Sequence, residues 1–303
     1  MPQSTAGLHH VTAICGPAQA NVDFYVGVLR QRLVKKTVNF DDPGTYHLYY
    51  GDQAGTPGSI LTFFPFDGAA PGRAGPGMAS AVAYGAEPAT FEALESRFGD
   101  DGMGRSERFG ARVLTTNDPD GLAVEFVETT GAGAGGFHSV TLMLEAPEAT
   151  ARVLTDILGY REVGSEAGDG AERIRLEVAG QAPGTAIDLL RDGDAPRRRP
   201  DLGTIHHIAF RAADDDQQQA FREALLAIGM DVTPVIDRQY FNAIYFREPG
   251  GVLFEIATDP PGFAVDEPVE TLGEALKLPE RYEPMRAEIE ARLPKLTPPR
   301  AAE

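Results

Sequence analysis

One cysteine, Cys15, stands among 303 residues, so no disulfide can form within the chain and a reducing, cytoplasmic setting is expected. No run approaches the ~20 uninterrupted apolar residues that a membrane-crossing helix needs. No basic segment followed by an apolar core opens the chain, so a secretory leader is not expected. Positive charge is scarce: 27 Lys and Arg stand against 45 Asp and Glu, a formal net charge of −18. That balance argues against nucleic acid and against an anionic membrane as partners, and mainly favours solubility. What remains is an ordinary globular composition, 42% apolar and 24% charged, long enough for two or more core units.

Histidine is also scarce, and its placement is uneven. Four of the six histidines form two doublets, His9-His10 in LHHVTAI and His206-His207 in IHHIAF, while Glu255 interrupts the apolar run VLFEIAT. Two imidazoles and a carboxylate are the donor set of a facial metal triad that leaves positions open for substrate and O₂. Cys15, just past a strand-like run, reads as a strand-end residue and not as a reactive thiol.

Self-similarity sets the expected fold. Near residues 7, 78, 136 and 204 the chain restarts one pattern, opening with LHHVTAI, MASAVAY, FHSVTLML and IHHIAFRA. A helix-spaced segment follows each opening: Val22, Val26, Leu29 and Leu33; Phe91, Leu94 and Phe98; Val153, Leu154, Ile157 and Leu158; Phe221, Leu225 and Ile228. Strand-like runs then alternate with tight-turn signals, and DPDG before LAVEFVE echoes REPGG before VLFEIAT. The expectation is an α+β chain of four βαβββ modules forming two barrel-like halves. Its limits are 7–130 for modules one and two, 136–260 for modules three and four, and a C-terminal extension over 261–303. Gly131 to Gly136 and Arg191 to Gly203 read as linkers, the second with Arg197-Arg198-Arg199 as a solvated loop. The Pro-rich extension, with one helix-like piece from Glu280 to Leu293, is expected to wrap the domains or to contact a second subunit in a homo-oligomer.

Strand alternation selects among the histidines, because neighbours in a strand face opposite ways. His206 shares its face with Ile208 and Phe210, residues suited to packing under a helix, whereas His207 shares its face with Ala209, which leaves space. His10 likewise belongs with Thr12, and His9 with Val11 and Ala13. Glu255 alternates with Phe254 and Ile256, and a carboxylate buried there is costly unless paired or bound to metal. The repeats act as a control: Ser139 stands where His10 would be, and Thr62 and Glu125 stand opposite Glu255. One metal is therefore expected, held by His10, His207 and Glu255 between modules one and four.

GLHHVTAI, YHLYYGDQAGTPGSILTFFPF, TIHHIAFRA and REPGGVLFEIATDPPGF resemble the vicinal oxygen chelate superfamily of glyoxalase I, bleomycin-resistance proteins and extradiol dioxygenases. The likeness is greatest to the hydroquinone-type ring-cleaving dioxygenases and spans residues 7 to 264. It implies Fe(II), with Mn, Zn or Ni as other occupants, on His10, His207 and Glu255, and a small aromatic substrate of hydroquinone or catechol type together with O₂. Such a site needs donors for developing negative charge. Tyr245 and Arg238, on the segments leading to Glu255, and His9, beside a ligand, are the candidates. A glyoxalase-like isomerase or thiol transferase would use more carboxylate ligands, against which Thr62 argues, and a metal-free resistance protein would not need the triad.

Overall fold

The computed structural model describes residues 4–297 apart from 132–134, 169–170, 181–183 and 193. Residues 132–134 of the linker from Gly131 to Gly136 therefore fall outside the described residues. Module one holds β1 (Leu8–Cys15), α1 (Ala18–Val22), β2 (Arg32–Asn39), β3 (Asp42–Gly51) and β4 (Ile60–Pro65). Module two holds β5 (Met78–Ala86), α2 (Pro88–Gly102), β6 (Gly104–Arg108), β7 (Ala111–Asn117) and β8 (Ala123–Glu128). Module three holds β9 (Phe137–Leu144), α3 (Pro147–Asp156), β10 (Arg161–Gly168), β11 (Ala171–Glu177) and β12 (Ala186–Asp192). Module four holds β13 (Thr204–Ala212), α4 (Asp215–Ala227), β14 (Ile236–Asp237), β15 (Phe241–Arg247) and β16 (Leu253–Pro261). The fourfold βαβββ repetition is thus present in full.

Two eight-stranded sheets result, ordered β14-β15-β16-β13-β1-β4-β3-β2 and β10-β11-β12-β9-β5-β8-β7-β6. The outer modules, one and four, make the first sheet, and the inner modules make the second. In each sheet two opening strands pair antiparallel at the centre, and each is flanked by its own module's closing strand running parallel to it. Each sheet curls into a half-barrel. In the first, the turn after β2 and the turn after β14 lie at opposite ends of the strand order, yet Asp41 and Arg238 meet across the opening at 3.1 Å.

Apolar side chains on the helix-facing side fill the core. Phe210, Phe254, Phe221 and Leu225 are all buried where α4 covers β13 and β16, and each contributes ~1.5–3 kcal/mol by leaving water. The echoed turns owe their shape to an acid at their head. Asp118 accepts hydrogen bonds from the amides of Asp120 and Leu122, and Glu248 from those of Gly250 and Val252. Gly121 and Gly251 adopt φ of 94° and 97° there, which a side chain would strain.

Three local expectations change. Leu33 lies in β2 and not on a helix: α1 runs into a π-helical stretch, Asp23–Val28, and Arg30 at φ 61° ends it. Ile228 lies just beyond α4 and is exposed, because Gly229 turns the chain at φ 82°. The extension has no continuous helix from Glu280 to Leu293. Pro284 removes an amide donor, so a 3₁₀ segment, Glu280–Met285, precedes α5 (Arg286–Arg292). That extension packs back along β2 and β3. The three arginines of the second linker are exposed, as a solvated loop would be, but Arg198 donates to the Gly77 carbonyl and Arg199 to that of Pro71.

Candidate metal centre

His10, His207 and Glu255 converge on the concave side of the first sheet, and one ligand atom from each lies within 4.8 Å of the others. His10 Nε2 is 3.4 Å from His207 Nε2, and Glu255 Oε2 is 3.3 and 2.9 Å from these two nitrogens. Donors ~2.1 Å from a common metal at right angles would stand ~3 Å apart, so the three atoms lie near the corners of one coordination face. Glu255 has no exposed surface, and neither carboxylate oxygen has a hydrogen-bond partner of acceptable geometry. A buried carboxylate in that condition is costly without a cation. The donor set and the orphaned oxygens both fit a divalent metal. Among the described residues no other His, Cys, Asp or Glu group converges in this way.

β-Bulges place the doublets. Between Leu8 and His10 the β1 strand spends two residues against one of β13, and between Ile205 and His207 the β13 strand does the same against β1. His9 and His206 are the extra residues. Strict alternation therefore fails where it was used to separate the pair members, and both rings of each doublet come together. His9 Nδ1 lies 2.9 Å from His10 Nδ1, and His206 Nδ1 lies 2.7 Å from His207 Nδ1. His206 does not pack under the helix as expected; it is exposed and lines the cavity over the triad. His9 is buried behind His10, and it also hydrogen-bonds the backbone of Thr258. A metal on the Nε2 lone pairs of His10 and His207 would leave their protons on Nδ1, to be donated to the preceding histidines. His9 would then carry its own proton on Nε2, facing the Thr258 carbonyl.

The electrostatics agree. Burial would raise Glu255, but the imidazoles of His10 and His207 hold it well below the usual carboxylate range. Burial pushes His207 down against the opposing pull of Glu255. A neutral His207 imidazole and an ionised Glu255 carboxylate are the forms of these two groups that bind a cation.

A cavity of about 470 Å³ opens above the triad, within the range of small-molecule sites. Ile14, Phe64, Phe66, Phe241 and Leu253 give it an apolar wall, and Tyr245, Arg238 and His47 supply polar groups. Tyr245 lies beside Glu255 in the β15–β16 pair, and its hydroxyl accepts from Arg238 Nε at 3.2 Å.

A model of the glyoxalase/bleomycin resistance protein/dioxygenase superfamily matches residues 136–256. The chain is 46% identical over 306 residues to MhqO of Bacillus subtilis, named as a provisional ring-cleaving dioxygenase, with 96% of each chain covered. It is 34% identical over 316 residues to the chlorohydroquinone/hydroquinone 1,2-dioxygenase of Sphingobium indicum, covering 95% of this chain and 96% of that one. The chain belongs to this superfamily. Its fold superposes on a crystal structure of a provisional dioxygenase from B. subtilis with a TM-score of 0.92 at 45% identity, over 99% of this chain and all of the other. Glyoxalase I of maize, at 14% identity and a TM-score of 0.62, covering 84% of this chain and 92% of its own, shares the fold alone.

Within this superfamily chain, the sequence reading missed His47. It sits on β3, half-buried, with Nε2 2.8 Å from Thr62 Oγ1 and Nδ1 2.8 Å from the Tyr49 hydroxyl. Thr62 in turn meets Thr12 at 2.9 Å. The signal was available: five of the chain's six histidines serve this one region, and YHLYY places His47 and Tyr49 on one face of a strand.

Proposed function

We propose that this chain is a metal-dependent dioxygenase, of the extradiol type, that opens the ring of a hydroquinone- or catechol-type substrate, with Fe(II) on His10, His207 and Glu255. The observation that supports this most is the buried, orphaned Glu255 carboxylate facing two imidazole nitrogens beneath an apolar cavity. The names carried by MhqO and by the chlorohydroquinone/hydroquinone 1,2-dioxygenase support the reaction class. When bound, Fe(II) supplies open coordination positions for the ring oxygens and O₂ and a path for electron density between them.

The remaining chemistry belongs to the side chains. The apolar wall packs the ring and excludes water, which strengthens the polar contacts inside. Arg238 Nε–H donates to the Tyr245 oxygen, so the hydroxyl hydrogen of Tyr245 is free to point at a ring oxygen. Burial, and then the charge of Glu255, hold the Tyr245 phenol well above its usual value, so it keeps that proton at neutral pH. Arg238 adds positive charge near the developing anion. His9 acts as a positioning residue through His10. His206, accepting from His207, presents its own Nε2–H at the cavity mouth.

Anaerobic reconstitution with Fe(II), followed by hydroquinones and catechols with O₂, tests the reading. One O₂ should be consumed per ring, with a new absorption band from the conjugated ring-opened product. A reconstituted protein that takes up no O₂ across such a panel, yet isomerises a thiol adduct, would replace this reading with a glyoxalase-like one.

A further inference from the structure

The extension beyond β16 grips both rims of the cavity. On one side, Asp266 Oδ2 accepts from Gln239 Nε2 at 2.8 Å and from the Tyr240 hydroxyl at 3.1 Å, the two residues that follow Arg238. On the other, the tip of the β2–β3 turn is held by its backbone. The Phe40 carbonyl accepts from Arg281 Nη2 and from the Tyr282 hydroxyl, both at 2.8 Å. A carbonyl has two lone pairs, and here the extension fills both. Phe40 and Asp41 line the cavity. Asp41 is otherwise exposed, its side chain 74% open to solvent, and it reaches the half-buried Arg238 at 3.1 Å. An exposed aspartate on a free two-residue turn would gain little from such a pair, because ordering it costs as much as the pair returns. Anchoring the adjacent carbonyl removes that ordering cost before the pair forms.

We propose that the extension is part of the substrate-binding apparatus: Arg281 and Tyr282, through the Phe40 carbonyl, hold Asp41 where it fixes Arg238, and so Tyr245, against the bound ring. The contacts form one path from the extension to the cavity, and Arg281 and Tyr282 are positioning residues, since neither lines it. The inference rests on the reading of the cavity as a ring-binding site.

The test measures hydroquinone binding by equilibrium dialysis of the metal-loaded protein under argon, so that no turnover is needed. Tyr282→Phe removes one donor to the Phe40 carbonyl and should weaken binding roughly fivefold, the effect of one lost neutral hydrogen bond. Metal content should stay at the parental value, and amide exchange over residues 39–45 should quicken. Asp41→Asn should weaken binding to a similar degree, and the double variant should bind no worse than Asp41→Asn alone. Additive losses, or quicker exchange with unchanged affinity, would overturn the proposal by showing that the turn is held without reaching the ring. Unchanged exchange would overturn it by showing that the extension does not hold the turn. A parent that binds hydroquinone and opens no ring refutes the reaction proposed above and leaves this comparison valid.

Discussion

Glu125 stands in β8 at the register that Glu255 holds in β16, each beside an alanine of the adjoining parallel strand, Ala83 and Ala209. The two carboxylates have opposite fates. Glu255 faces imidazole nitrogens, whereas both oxygens of Glu125 accept from Arg108 at 2.6 Å. Asp188, at the register of Thr62, is held in the same way by Arg175 at 2.7 and 2.9 Å. The inner sheet even keeps the bulges, with Ser80 and His138 as the extra residues, but Ala81 and Ser139 stand where His207 and His10 would be. Guanidinium groups balance in the inner sheet the charge that a metal is proposed to balance in the outer one.

That contrast makes a paired prediction. Glu125→Gln should leave metal content unchanged while lowering stability by about 3 kcal/mol, because Arg108 loses its partner in a partly buried setting. His10→Ala, His207→Ala and Glu255→Ala should each abolish stoichiometric metal binding and leave the circular dichroism of the fold in place. Full metal content in His207→Ala, or loss of metal in Glu125→Gln, would refute the assignment.

His9 offers a measurement of indirect support. Replacing it with Phe keeps the ring volume and removes the acceptor for the His10 Nδ1 proton, so metal affinity should fall by ~10–100-fold. Competition against a chelator of known affinity reads this directly. Unaltered affinity would mean that His10 needs no help in holding its orientation.

Acid should destabilise the metal-free protein. Burial, followed by neighbouring imidazoles, holds His9 and His47 well below the usual histidine value, and burial lowers His207 as well. Between their folded values and ~6.5 the unfolded chain binds more protons than the folded one, so stability rises with pH across that window. It is fully present above ~6.5 and is lost as pH falls through the folded values. Urea unfolding of metal-free protein at pH 7 and at pH 5 should show the loss, and His47→Gln should reduce it. Equal stability at the two values would contradict the burial of these rings.

Lys35 anchors the extension from the core side. Its side chain is fully buried and its ammonium donates to Asp266 at 2.7 Å and to Glu267 at 2.9 Å. Lys35→Met should cost ~3–5 kcal/mol because Glu267 stays buried without a cation. Adding Glu267→Gln should recover part of the loss. Thermal unfolding that barely shifts in the single variant would show that the extension is held elsewhere.

Much of this arrangement was legible in the residues. Alternation placed Glu255 on the concave face, and the repeated openings placed His10 and His207 on neighbouring strands. What escaped was each feature that breaks a period. A bulge inserts a residue without any change of composition, so His206 was sent to the wrong face. His47 belongs to a strand with no partner histidine beside it. The extension owes its path to hydrogen bonds that Arg281 and Tyr282 donate and that Asp266 accepts, in 3₁₀ turns and irregular chain, for which hydrophobic spacing offers no guide.

The pairing of outer module with outer module has a consequence for synthesis. His10 and His207 are 197 residues apart in sequence, and β1 has its antiparallel partner in β13, which follows the whole inner sheet. A chain emerging from the ribosome can complete the inner sheet once β12 is out, while β1 waits. No nascent fragment that stops short of β16 can offer the full donor set, so loading of the proposed metal would come late in the life of the growing chain. Once seated, the ion would close a very long loop, where a crosslink removes the most freedom from the unfolded state.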